Sequence, residues 1–191
     1  MSFTRILKAG ILTTLFMLLG ITQASAANFK VDPTHGYVEF KISHMGFSLV
    51  GGRFDKYSGN MVWDKDNPSA SSIEVTIDTT SVDTNHAQRD EHISGADYLN
   101  VAEHPTATFK STMYHGDANG GKLMGNFTLN GVTKEITIDV KKLGEGKDPW
   151  GGYRVGFSGE TTINGADFGY KNQMVQQPIA ISLSVEGIQQ K

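Results

Sequence analysis

The densest grouping of chemistry-bearing side chains in this 191-residue chain is Asn85-His86-Ala87-Gln88-Arg89-Asp90-Glu91-His92. In a helix, His86 and Asp90, four apart, share a face, as do Arg89 and His92, three apart. Two readings fit such a cluster. It is either a polar rim that orients a ligand head group at the edge of an apolar pocket, or a surface network whose charges satisfy one another. A metal site is the sharper alternative, since His44, Met45, His86, Asp90, His92 and His104 could all act as ligands. Their spacings match no zinc pattern such as His-Glu-x-x-His, and the chain has no cysteine. Gly156-Phe157-Ser158-Gly159 lacks the spacing of a Gly-x-Ser-x-Gly nucleophile elbow. With 20 acidic residues, any two carboxylates could meet in space, so no glycosidase pair is assigned. The sequence thus names no catalytic residue, no metal ligand and no resident cofactor. A metal-dependent hydrolase working through His44, His86 and His92 stays as the enzymatic alternative.

The elements that must carry these groups are strands. Apolar and polar residues alternate in most segments, the period of a half-buried strand rather than a helix. Val38, Phe40 and Ile42 alternate with Glu39, Lys41 and Ser43; Ile73, Val75 and Ile77 do so with Glu74, Thr76 and Asp78. Leu123, Phe127 and Leu129 share one parity, as do Ile136, Ile138 and Val140; so do Val155, Phe157 and Ile163, and Ile179, Ile181, Leu183 and Val185. Further candidates lie near Phe54, Met61 to Trp63 and Ala107 to Met113, about eight strands in all. Asn119-Gly120 and Asn130-Gly131 sit between alternating runs and suit tight hairpin turns, so consecutive strands are expected to pair antiparallel. Only Thr84 to Leu99 breaks the pattern, as a short helix or structured loop. The class is therefore all-β in one domain. Alternation alone leaves a sandwich and a barrel both open, and it does not tell a solid core from a ligand cavity.

The chain opens with Arg5 and Lys8, an apolar run from Ile11 to Ile21, and Ala24-Ser25-Ala26, the three parts of a cleaved signal peptide over residues 1–26. The apolar run is about half the roughly 20 residues a membrane span needs, so no stable anchor is expected. The domain then occupies residues 27–191 outside the cytoplasm. Without Arg5 and Lys8 the formal charge moves from -3 to -5, which argues against a nucleic-acid partner. With no disulfide available, packing alone must hold the domain.

Several stretches carry a resemblance to a known family. They are Thr79-Thr80-Ser81-Val82-Asp83-Thr84-Asn85-His86-Ala87-Gln88-Arg89-Asp90-Glu91-His92, then Ala96-Asp97-Tyr98-Leu99 and Pro105-x-Ala107-Thr108-Phe109. Val31-Asp32-x-x-His35, Gly52-x-Phe54, Leu129-Asn130-Gly131-Val132-Thr133-Lys134, Asp148-Pro149-Trp150-Gly151-Gly152 and Ser184-Val185-Glu186-Gly187 extend it over the mature chain. Together they resemble the YceI-like proteins of the Gram-negative periplasm. The resemblance implies a lipocalin-like antiparallel β-barrel of about eight strands whose lumen binds a long isoprenoid or similar amphiphilic lipid, such as a polyprenyl quinone. On that expectation Phe40, Ile42, Phe54, Phe109, Phe127, Leu129 and Phe157 line a tunnel, and Arg89, Asp90 and His92 lie near its mouth or capping loop. Asn164-Gly165 stands where many members carry an arginine, which removes a cation from that end. The function implied is a periplasmic binding or carrier protein rather than an enzyme. An envelope stress protein with a structural or protein-binding role is the alternative outside catalysis. Pairing of two copies through an exposed edge or the tunnel mouth is left open.

Overall fold

The computed structural model describes residues 26–191, so the segment expected to be a signal peptide, residues 1–26, lies outside the described residues except for Ala26. The alternating runs form strands, as their period requires: β1 (Ala27–Val31), β2 (Tyr37–His44), β3 (Ser48–Phe54), β4 (Tyr57–Trp63), β5 (Ser72–Asp78), β6 (Val82–Asp83), β7 (Thr106–Gly116), β8 (Gly120–Leu129), β9 (Val132–Lys147), β10 (Tyr153–Asn164) and β11 (Pro178–Gln189). One helix, α1 (Ala87–Ser94), occupies the segment that broke the alternation. No helix among the described residues is long and apolar enough to cross a membrane.

The first six strand segments are three long strands, each interrupted once. β1 and β2 run along the same neighbour, with Val31 opposite Gly187 and Tyr37 opposite Ser184 of β11. β3 and β4 follow that pair, with Phe40 opposite Gly52 and Phe29 opposite Met61. β5 and β6 come next, with Ile77 opposite Tyr57 and Val82 opposite Phe54. With β7 to β11 these make an eight-stranded, antiparallel, up-and-down barrel that closes where β11 meets β1 and β2. Closure leaves no edge along that seam, which an open sandwich would have to protect.

Each interruption satisfies its own backbone. At the first, Asp32 Oδ1 accepts from the Thr34 amide at 3.0 Å and the Thr34 hydroxyl at 2.6 Å. Gly36 then passes so close to β11 that a Cβ would lie 2.4 Å from the Ser184 carbonyl oxygen. The other two breaks lie side by side: the Asp55 amide donates to the Ser81 carbonyl at 3.1 Å, and the Lys56 amide to Ser81 Oγ at 2.9 Å.

The turns follow the sequence only in part. Asn130 and Gly131 have φ of 51° and 73°, as a two-residue hairpin turn demands. Asn119 stays out of the left-handed region; there Asp117 Oδ1 accepts from the Asn119 amide at 2.7 Å, making a longer loop. The β2–β3 hairpin turns on Met45 (φ 55°) and Gly46 (φ 79°), a role for which methionine has no intrinsic preference.

One end of the barrel carries its own packed cluster. Phe29, Met61, Trp63 and Val155 form a buried cluster there, with Trp63 edge-on to Phe157 at 5.0 Å. Trp63 Nε1 donates to Glu145 at 2.8 Å, and Lys142 lies 3.4 Å from the same carboxylate. Outside this plug, Arg154 ties three chain segments together. Its Nε donates to Asp148 at 2.9 Å and its Nη1 to Asp32 at 2.8 Å, with Glu186 also on Nη1. The Asp32 carboxyl is held well below the usual range, chiefly by the Thr34 hydroxyl, with help from His35 and Arg154 and against the effect of burial.

Two outcomes follow from these contacts. Met45→Asn supplies a residue that tolerates positive φ, so it should stabilise the fold by about 1 kcal/mol and raise Tm by ~2–4 °C in a thermal melt. Arg154→Met should lower Tm at pH 7. Because the folded Asp32 value lies below the unfolded one of about 3.9, its stabilisation is present above that value and lost as pH falls beneath it. Melts across pH should therefore show the gap between wild type and variant narrowing below about pH 4.

Candidate binding cavity

The inward faces of the eight long strands do not meet in the middle. They enclose a cavity of about 480 Å³ to which every long strand contributes, from Val38 and Phe40 on β2 round to Ile181, Leu183 and Val185 on β11. Strand parity explains the lining, because alternate residues of a closed sheet all point inward. Inward glycines leave room for neighbouring rings: a Cβ on Gly125 would lie 2.5 Å from Phe109, and one on Gly52 would lie 2.4 Å from Phe40.

The cavity reaches solvent at the end opposite the Trp63 plug, where exposed His44, His92 and Met174 contribute to its wall. Three segments build that rim: the β2–β3 hairpin, the stretch from Thr84 through α1 to Leu99, and the loop between β10 and β11. The loop is fastened to the hairpin by Gln177 Nε2, which donates to the Ser43 carbonyl at 2.8 Å. Beyond the rim the hairpin tip projects Met45, Phe47 and Leu49, which are 67%, 85% and 69% exposed.

Of the residues named from sequence, Phe40, Ile42, Phe54, Phe109, Phe127, Leu129 and Phe157 all line this cavity, as do Arg89 and His92. They are not equivalent. Phe127 is buried edge-on against Phe168 at 5.5 Å and belongs to the packed core as well as to the wall. Phe40 and Phe54 are half-buried with centroids 5.7 Å apart on neighbouring strands. Phe157 stands over Trp63 at the closed end.

The polar cluster is largely turned on itself. Arg89 Nε donates to the Thr84 hydroxyl oxygen at 2.7 Å and Nη2 to the Thr84 carbonyl at 2.6 Å. Asp90 Oδ1 accepts from the Thr84 amide at 2.8 Å and from its hydroxyl at 2.5 Å, and that hydroxyl bond above all keeps the Asp90 carboxyl below its ordinary range. Buried Thr84 is thus the post to which both charges fasten the start of the helix. Asp90 does not contribute to the cavity wall. His86 caps α1 by accepting from the Arg89 amide at 3.2 Å, and His92 lies edge-on to Tyr98 at 4.8 Å.

The ligand atoms of His44, His86 and His92 do not converge within 4.8 Å of one another. Among the described residues the one such grouping is Asp32, His35 and Glu186. Arg154 already bridges its two carboxylates there, doing the work of a cation.

Tyr170 and the rim residues Met174 and Val175 went unassigned from sequence, because the β10–β11 loop has no alternation to give its side chains a direction. Tyr170 is 6% exposed and lines the cavity. Burial pushes its phenol up to about 12. An aromatic residue just past the Gly169 turn, where φ is 77°, was the available signal.

Comparison with known proteins agrees with this architecture. A family model for the YceI-like domain matches residues 29–187. A UPF0312 protein of Pseudomonas paraeruginosa is 49% identical over 172 residues, covering 88% of this chain and 90% of its own. Protein YceI of Escherichia coli is 45% identical over 187 residues, covering 91% of this chain and 98% of its own. A solved polyisoprenoid binding domain from Saccharophagus degradans, implicated in plant cell wall breakdown, superposes with a TM-score of 0.63 at 18% identity, over 87% of this chain and all of that one. At that identity the last match speaks for the fold alone. A family model spanning nearly all the described residues, with relatives close to half identical over most of their length, gives one assignment: the chain belongs to the YceI-like family.

Proposed function

We propose that the protein binds and carries a long isoprenoid or similar amphiphilic lipid in the barrel lumen, in the periplasm. The observation that carries this reading is the cavity. At ~24 cal/mol per Å³, leaving about 480 Å³ of apolar space empty would cost on the order of 10 kcal/mol, comparable with the whole stability of a typical domain. Water is a poor filling, because an ordered water needs two to four polar partners and the strand-borne wall is mostly hydrocarbon. A lipid tail suits it, each buried CH₂ contributing roughly 0.8 kcal/mol without directional chemistry. The volume is about three times that of the ~150 Å³ cavity that takes up a benzene ring, room for several isoprene units in a row.

Family membership supports the same reading, as does the shared fold of the polyisoprenoid binding domain from Saccharophagus degradans. A protein that shelters a lipid needs no catalytic constellation, which accords with the absence of any catalytic motif in the sequence. Carriage between membranes also requires a rim that can approach a lipid surface. Exposed Met45, Phe47 and Leu49 put apolar side chains beside the opening where that approach would occur. The signal-peptide pattern of residues 1–26 supports an aqueous compartment outside the cytoplasm as the place of work.

Mass spectrometry of an organic extract from natively purified protein should find a near-stoichiometric isoprenoid-type lipid; a lipid-free protein that takes none up from vesicles would overturn the reading. Ile181→Arg places a charge in the half-buried wall and should cut lipid uptake at least tenfold while leaving the melting curve cooperative. N-terminal sequencing of the periplasmic fraction should begin at Ala27, and an intact Met1 in the cytoplasmic fraction would overturn the placement.

A further inference from the structure

The ladder between β9 and β10 stops short of the open end. Its last pair toward the rim is Asp139 with Glu160. Beyond it both strands run on beside their other neighbours, β9 with β8 as far as Val132 opposite Leu129, and β10 with β11 as far as Asn164 opposite Pro178. The wall therefore has a slot from that last pair up to the rim, between residues 132–138 of β9 and 161–164 of β10. Lys134 marks the same departure. It stands opposite Phe127, which lines the lumen, yet it is exposed, as a side chain directed into a closed apolar interior would not be. Phe168 instead packs edge-on against Phe127 at 5.5 Å.

Side-chain bonds span the slot. The Thr161 hydroxyl donates to the Thr137 carbonyl at 2.8 Å, and nearer the rim Asn130 Nδ2 donates to the Phe168 carbonyl at 3.2 Å. The slot lies directly over the cavity, because Ile136 and Ile138 on one side and Thr161 and Ile163 on the other line it. Outside, Thr137, Asp139, Glu160 and Thr162 line a polar surface depression that shares Thr161 and Ile181 with the lumen wall.

We propose that β9 and β10 part along this slot to admit and release the lipid sideways, with the Thr161–Thr137 bond as the latch. This rests on the lipid reading of the cavity and adds to it a route. Parting two fully laddered strands breaks a run of backbone bonds, and each group set free loses a partner beside an apolar interior. Here that run is already absent, and the bonds at stake are those of one hydroxyl and one carboxamide. The slot also suits a long tail. Because it is continuous with the mouth, a chain can enter along its length, whereas a rigid rim would require it to be threaded from one end.

Retinol, an isoprenoid alcohol whose fluorescence rises in an apolar site, reports uptake and release by stopped flow. Thr161→Val keeps the shape and removes the latch, so both rates should quicken together, by about fivefold. Thr161→Ser retains a hydroxyl and should restore the wild-type rates. The chain has no cysteine, so Thr137→Cys combined with Thr162→Cys puts one thiol on either side of the slot. Joining the two with a short bis-methanethiosulfonate cross-linker should slow both rates by about tenfold, and reduction should reverse the effect. Unchanged rates in the cross-linked protein would overturn the proposal in favour of passage through the rim alone. Slower release from Thr161→Val with uptake unchanged would overturn it too, because that is the mark of a wall residue that only touches the ligand. If wild type takes up no retinol, the lipid reading fails and the slot's role with it, a result distinct from the other two.

Discussion

An apolar interior can be kept free of solid packing only if the wall around it satisfies its own backbone hydrogen bonds, and here that condition hangs on the seam between β11 and the interrupted strand β1–β2. Every other pairing joins long strands that follow one another in sequence and could form in an open sheet. The β11 seam instead joins the two ends of the described chain, and without it two edges would stand open beside a hydrophobic face. The seam is also interrupted, since Pro33 to Gly36 leave the ladder between the Asp32 amide, which donates to the Glu186 carbonyl at 2.8 Å, and Tyr37. Several groups converge on that gap: the Thr34 hydroxyl and His35 on Asp32, Arg154 reaching across from β10, and a glycine that lets the backbone approach Ser184.

The two ends of the barrel are built on opposite principles. Trp63, Phe29, Met61 and Val155 fill the closed end, and the inward-facing Glu145 and Lys142 neutralise each other beside the indole. A bulge between Gly156 and Phe157 helps bring this about by shifting the register of β10 against β9. The rim is assembled from a hairpin, a helix and a loop, with Gln177 tying the loop to the hairpin, and local opening should concentrate in such segments. Entry and exit of a ligand therefore need not disturb the ladder that keeps the barrel closed.

Much of this was legible in the sequence, and the limits have physical causes. Strand parity identified the inward residues correctly from Val38 to Val185, because a period of two survives whether the inward side is a core or a cavity. For the same reason parity could not tell a barrel from a sandwich or a full lumen from an empty one. Arg154 was invisible as an organising residue: it lies on the outward parity of an ordinary strand, and its partner Asp32 is 122 positions away. The β2–β3 turn escaped because Met45 holds a conformation that asparagine or glycine would adopt at less cost. The cluster from His86 to His92 drew attention as chemistry, yet its carboxylate and guanidinium mainly fasten the helix to Thr84.

The same pairing of charges bears on what such a fold can hold. A reactive site needs polar groups that are desolvated, oriented and left with capacity to spare for a substrate. In this barrel most charged groups near the lumen have already found partners: Arg89 and Asp90 on Thr84, Glu145 between Trp63 and Lys142. Among the described residues the Tyr170 hydroxyl is the one buried side-chain polar atom with no partner. Such an interior can hold, orient and shield a largely apolar molecule. Selectivity would then come from the length and shape of the space, which tolerates related lipids.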